Sequence, residues 1–353
     1  MVKKLKLPLV GALTAVVSVL LVNLGNPGNM GFCIACFLRD TAGALGLHSA
    51  AAVQYVRPET LGIILGAFIL ALVRKEFAPK GGSAPVTRFV LGACVMTGAL
   101  IFLGCPLRMI LRMAGGDVNA LIGLIGFVGG ILLGVFFLKR GYSLKRTYNV
   151  SKTDGFALPV LSLGLLAALI FFPAILLVSE SGPGSLQAPV YIALAAGVIM
   201  GGVGFLSRIC FSGGIRDGFM LKSFSMLSGF IALLVVAIVG NLITGQFSLG
   251  LEGQPIAHTE WIWNILGLGL VGFGSILLSG CPFRQMVLAG SGNSDSAITV
   301  LGMIFGAALA HNLSLASSAA GTTSNGRVAF AIAAVIAVGV AVYNTFFSKE
   351  AVA

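Results

Sequence analysis

Gly104-Cys105-Pro106-Leu107-Arg108 and Gly280-Cys281-Pro282-Phe283-Arg284 are the stretches that decide the architecture of this chain. Each closes a long apolar run, and each is followed by Gly and Asp, in Gly115-Gly116-Asp117 and in Gly292-Asn293-Ser294-Asp295. Upstream of the first, Cys33-Ile34-Ala35-Cys36-Phe37-Leu38-Arg39-Asp40 carries Cys-x5-Arg-Asp. Upstream of the second, Cys210-Phe211-Ser212-Gly213-Gly214-Ile215-Arg216-Asp217 carries the same pattern. Two composite motifs in one order, at nearly one interval, mark an internal repeat.

Composition says what solvent the repeat faces. Of 353 residues 57% are apolar and only 9% charged, with a mean hydropathy of +1.03. A water-facing surface needs about 25% charged residues, so this chain faces lipid. The 49 glycines fit close helix packing in a membrane; Gly62, Gly66 and the run Gly126, Gly130, Gly134 read as such faces. The predicted fold class is therefore an all-α polytopic membrane protein, with two inverted-topology repeats and re-entrant half-helices. It has about ten spans, near 7–24, 59–73, 86–104, 118–138, 156–178, 189–207, 224–243, 261–279, 297–313 and 327–347. The start, Met1-Val2-Lys3-Lys4-Leu5-Lys6 and an apolar run to Leu24, has the look of a signal peptide. No small-x-small cleavage site follows, and it reads as a first membrane helix.

A net charge of +11 would point a soluble chain toward nucleic acid. Here the basic residues sit in short loops between apolar runs and obey the positive-inside rule. With the N-terminus in the cytoplasm, only Arg39, Arg57, Arg108, Arg112 and Arg327 fall outside, as do Glu180, Glu252 and Glu260. The other Lys and Arg fall inside. The expectation is a multi-pass protein of the bacterial cytoplasmic (inner) membrane, touching lipid and no nucleic acid. Cys33 and Cys105 then follow spans running outward, and Cys210 and Cys281 follow spans running inward. That makes residues 1–154 a first repeat, 155–180 a linking span and 181–353 a second, inverted repeat, a recurrent transporter design.

The motifs carry the chemistry. Pro106 and Pro282 suit the first position of a helix, where the missing N–H costs nothing. Segments 106–114 and 282–290 are too short to span and read as half-helices folding back. Their N-termini, facing each other across the repeat, would form an anion site with Cys105 and Cys281 at its centre and with Arg108 and Arg284 adding positive potential. A plain Pro-started turn at the interface, with Arg meeting headgroups, is the blander reading. Arg39–Asp40 and Arg216–Asp217 read as locks on the loops that carry Cys33 and Cys210, since such pairs are costly near membrane depth unless paired internally. Cys94 falls at an apolar position and reads as packing; Cys36 aligns with Gly213 and has no counterpart.

Thiols are weak donors on soft, polarizable sulfur. They suit a thiosulfate-like or selenium-containing solute, moved along a path of Cys33, Cys105, Cys210 and Cys281. Metal binding is the rival use, and Cys33-Ile-Ala-Cys36 has the spacing for it. Yet His48, His258 and His311 lie away from the cysteine motifs in sequence, and the spacing is not duplicated. No metal site and no cofactor are expected. No Ser-His-Asp order, phosphate loop or carboxylate pair points to an enzyme. The main alternative is a membrane thiol-redox relay or enzyme using Cys33 and Cys36; a structural subunit of a selenium-handling complex is a third.

On these residues, the Cys210…Arg216-Asp217 stretch and the two Gly-Cys-Pro-x-Arg motifs, the chain resembles the YeeE/YedE family of bacterial inner-membrane proteins. The form Gly-Cys-Pro-Leu-Arg-Met-Ile-Leu-Arg-Met-Ala-Gly-Gly-Asp is similar to the branch linked to selenium metabolism. The resemblance implies uptake of thiosulfate or of a selenium species through central cysteines. It also implies a separate partner, a small cytoplasmic sulfur carrier of the TusA type.

Overall fold

The structure is a computed structural model that describes residues 7–348. Met1–Lys6, with Lys3, Lys4 and Lys6, and Lys349 lie outside the described residues. The apolar runs become helices because a helix satisfies its own backbone groups, as lipid requires. In chain order they are α1 Leu7–Asn23, α2 Ile34–Ala44, α3 Pro58–Val73, α4 Pro85–Phe102, α5 Pro106–Ala114, α6 Val118–Lys139 and α7 Lys152–Phe171. Then come α8 Val190–Ser207, α9 Phe211–Leu221, α10 Ser225–Ile243, α11 Trp261–Leu277, α12 Pro282–Gly290, α13 Ser294–Asn312 and α14 Ser324–Val342. The only ladder among the described residues is the two-residue pairing of Lys80–Gly81 with Tyr148–Asn149.

The chain is an all-α polytopic membrane protein. Nine of its described helical segments are long and apolar enough to cross a bilayer, against the ten spans expected. The tenth, α1, is apolar over its 17 described residues. The span expected over 156–178 ends instead at Phe171, where Pro173 opens a 3-10 turn.

The loops gather at two ends. At one, Leu177 and Ser179 donate backbone bonds to Ala44 and Gln54, Ser248 and Gly250 donate to Gly115 and Gly116, and the Asn312 amide reaches the Leu47 carbonyl. This acidic end carries Glu180, Glu252 and Glu260. At the other, Ala78 donates to Ser291 and Val150 to Pro79. This basic end carries Arg74, Lys75, Lys80, Lys139, Arg140, Lys145 and Arg146.

Helix packing is reciprocal. The helix α3 lies along α8, and α10 along α1; α11 lies along α6, and α13 along α4; α4 and α11 pack on each other. The short helices follow suit: α12 rests on α3 and α13, α5 on α10 and α6, while α2 meets α12 and α5 meets α9. The glycines share this relation. A Cβ on Gly126 or Gly130 of α6 would sit 1.9 Å from the Ile265 or Gly269 carbonyl oxygen of α11, and Gly302 of α13 would meet the Phe89 oxygen of α4 at 2.1 Å. Only glycine allows backbones this close. Gly62 and Gly66 do the same for α3 against α8. Two helices depart from the pattern: α7 lies on α3, α12 and α13, whereas α14 lies on α4 and α11.

Candidate functional site

Each Gly-Cys-Pro follows a helix that ends on a left-handed residue, Leu103 at φ 62° and Ser279 at φ 61°. Such a conformation is costly for a residue with a Cβ. It turns the chain sharply, after which Pro106 and Pro282 start α5 and α12 with Cys105 and Cys281 as N-caps. Cys33 and Cys210 are likewise the N-caps of α2 and α9, and their Sγ atoms accept from the Cys36 and Gly213 amides at 3.4 Å. All four cysteines therefore stand at half-helix starts, where free N–H groups and partial positive charge gather.

The thiols pair within each half. Cys33 and Cys105 lie against each other, with the Ile34 and Arg108 amides beside the Cys105 sulfur. Cys210 and Cys281 do the same, with the Phe211 and Arg284 amides beside Cys281; the Cys281 amide donates to Cys210 Sγ at 3.4 Å. Two helix starts thus converge on each pair, α2 with α5 and α9 with α12. The motifs alone predict that α5 and α12 face each other. In the structure each faces the other half-helix of its own half, because the cysteine of Cys-x5-Arg-Asp is the cap of that helix. Among the described residues no hydrogen bond joins one pair to the other; of the half-helices, α2 meets α12 and α5 meets α9 across the halves.

Residues 206–349 match the family model described as sulphur transport. The matched stretch holds the whole second pair with Arg216, Asp217, Pro282 and Arg284, and it bears out the resemblance to the YeeE/YedE sulfur transport family. No curated protein matches the chain.

Around the first pair the Gly-Cys-Pro-x-Arg motif is sealed. Arg108 is fully buried. Its Nη1 donates to the Leu103 carbonyl and lies 3.6 Å from Cys36 Sγ. Its Nε donates to the Asn29 carbonyl at 3.3 Å, and Nη2 to those of Pro255 and Ile256 at 3.2 and 3.3 Å. A neighbouring lock is Asp40, which accepts from Arg39 at 2.7 Å and from Arg57 at 2.8 Å; Arg57 in turn holds the Pro183 and Leu186 carbonyls. The expected Arg39–Asp40 lock is thus a three-residue one. A further buried pair, Arg112–Asp117 at 2.6 Å, ties the end of α5 to the start of α6. Removing one partner from such a pair costs about 3–5 kcal/mol, because the other is left charged and unpaired. The second half is looser: Arg216 meets Asp217 at 2.8 Å with a third of its side chain exposed.

Two cavities lie toward the two ends, and the smaller one touches a thiol. One of about 550 Å³ opens at the acidic end, lined by Arg39, Leu103, Pro183, Ile256, His311 and Ser317. The other, about 200 Å³, lies toward the basic end against Cys210, Ser212, Arg216, Ser275 and Arg284.

Several residues here escaped the sequence reading. The three histidines flank the motifs in space: His258 Nε2 bonds the Ile101 carbonyl at 2.8 Å, and His48 bonds the Arg39 carbonyl and meets the His311 ring, tilted by 32°, at 4.6 Å between centroids. Burial pushes His258 and His48 below their ordinary values, so both are neutral rings at pH 7. Nothing in the local sequence announces the loop 254–258 as the cover of Arg108. Arg57 is legible only as an arginine beside a proline. Cys94, on α4, is buried among apolar side chains.

Proposed function

We propose that this protein moves a small sulfur- or selenium-bearing anion, of the thiosulfate type, across the cytoplasmic membrane of a bacterium. The basic end faces the cytoplasm on this reading, by the positive-inside rule. The path runs from the cavity at the acidic end past Cys33 and Cys105, then past Cys210 and Cys281 to the cavity at the basic end. The observation that carries it is the pairing of thiols at two points where half-helix starts converge. An anion there meets the positive potential of the helix starts without a fixed countercharge, while soft sulfur contacts its sulfur or selenium end without a bond being made. The match to a sulphur transport model supports the solute class, and the reciprocal packing supports two inverted halves, residues 1–154 and 181–353 joined by 155–180. Asp40 and Asp117 are both locked to arginines, which leaves Arg108 and Arg284 as the cations beside the thiols without an acidic partner among the described residues.

Uptake of radiolabelled thiosulfate by liposomes bearing the purified chain tests this, with selenite, selenide and sulfide as competitors. The expected result is saturable uptake lost in Cys105→Ala and in Cys281→Ala and retained in Cys94→Ala. Loss in Cys36→Ala alone, with Cys105→Ala active, would instead favour the thiol-redox reading. No uptake of any of these solutes would leave a structural subunit.

A further inference from the structure

The two Gly-Cys-Pro-x-Arg motifs place an arginine in the same position, yet the arginines differ in what they hold. The guanidinium of Arg108 is spent on the carbonyls of Leu103, Asn29, Pro255 and Ile256. That of Arg284 has neither a hydrogen-bond nor an ion-pair partner among the described residues, although its charge acts on Cys210 and Cys281. It borders the cavity of about 200 Å³, which is room for roughly six waters at about 30 Å³ each, and Arg208 borders it too. A second observation points into the same space. Ser275 is 0% exposed, its hydroxyl has no hydrogen-bond partner among the described residues, and it lines this cavity. A buried polar group without a partner is rare and costly, so an unmet hydroxyl beside an unmet guanidinium marks a place that something polar fills.

The sequence around the cavity agrees. Aligned on the motifs, Arg208, Ser212, Ser275 and Ser279 stand where the first half has Gly31, Ala35, Ala99 and Leu103. All four line the cavity. The second half has thus replaced small and apolar positions by hydroxyls and a cation around one thiol, Cys210, whose sulfur lies 3.3 Å from the Ser212 hydroxyl.

We infer that this cavity is a binding site for a small tetrahedral oxyanion with a terminal sulfur or selenium atom. Arg284, Ser275 and Arg208 hold its oxygens, and the Cys210 thiol meets its soft end. In the first half the Pro255 and Ile256 carbonyls occupy the arginine in the anion's stead. The inference rests on the transport reading for its solute class and adds where that solute dwells on the basic side.

Equilibrium binding of radiolabelled thiosulfate to the purified full chain tests it. Losing one charge-assisted contact weakens binding by about tenfold or more, so Arg284→Gln should raise the dissociation constant by about that factor. Ser275→Ala removes one atom with no packing change and should weaken binding several-fold, which keeps the test open if Arg284→Gln fails to fold. Unlabelled sulfate, which lacks the soft end, should compete far less well than thiosulfate. Binding unchanged in Ser275→Ala and in a folded Arg284→Gln would overturn the site, as would sulfate competing equally or the wild type not binding at all. Thiosulfate uptake by liposomes without this binding removes the site and leaves transport standing; binding without uptake does the reverse.

Discussion

The two halves of this molecule carry one motif and use it in opposite ways. Around Cys33 and Cys105 every guanidinium nitrogen of Arg108 meets protein, and loop 254–258 closes over it. Around Cys210 and Cys281 the matching Arg284 has no partner among the described residues and faces a cavity. A repeat therefore fixes backbone geometry, the left-handed turn, the proline start and the thiol cap, without fixing what the arginine does. The neighbours decide that: carbonyls from a distant loop in one half, hydroxyls in the other.

The comparison can be broken most decisively at the locks. Asp40→Asn should strand Arg39 and Arg57 in the interior and cost about 3–5 kcal/mol, seen as a large fall in melting temperature of the detergent-solubilised protein. Asp217→Asn, in the partly exposed pair of the second half, should cost under about 1 kcal/mol. Equal losses would show that the halves are not differently sealed. Next in size, Arg108→Gln should destabilise the protein by about 1–3 kcal/mol by orphaning buried carbonyls. Arg284→Gln should leave melting nearly unchanged and alter solute handling instead.

Much of this is legible in the sequence. The half-helices 106–114 and 282–290 match α5 and α12 to the residue, because proline and glycine punctuate them. Their partners were not legible. That Cys33 caps a helix pointing at Cys105 depends on how α2 folds back, and Cys-x5-Arg-Asp carries no proline to announce it. Arg112–Asp117 and Arg57–Asp40 escaped for a related reason: an ion pair between residues in different segments leaves no periodic trace. The role of Pro255 and Ile256 is a backbone one, which side-chain identity does not encode.

Two smaller effects sharpen the contrast further. Cys36 touches Arg108 in the first half, where the second half has Gly213; Cys36→Ala should lower thiosulfate uptake modestly, well short of the loss in Cys105→Ala. The smallest effect concerns the acidic end. Burial opposes the charge of Glu260, but the Thr322 hydroxyl and amide, the latter at 2.8 Å, and Arg327 at 3.0 Å outweigh it and hold the carboxyl below its ordinary value. Its contribution is present above the unfolded carboxylate value, about 4.3, and is lost as pH falls through the lower folded one. The hydrogen-exchange protection of the Thr322 amide, taken relative to its intrinsic rate, should therefore fall only under acid, and Glu260→Gln should remove that dependence.

The paired thiols can be examined directly by mild oxidation of the protein in liposomes, with the cross-linked peptides mapped by mass spectrometry and thiosulfate uptake measured on the same sample. The account predicts Cys33–Cys105 and Cys210–Cys281 bridges, each within its own half, with uptake abolished and then restored by a reductant. Uptake continuing at the untreated rate while both bridges are present would contradict it.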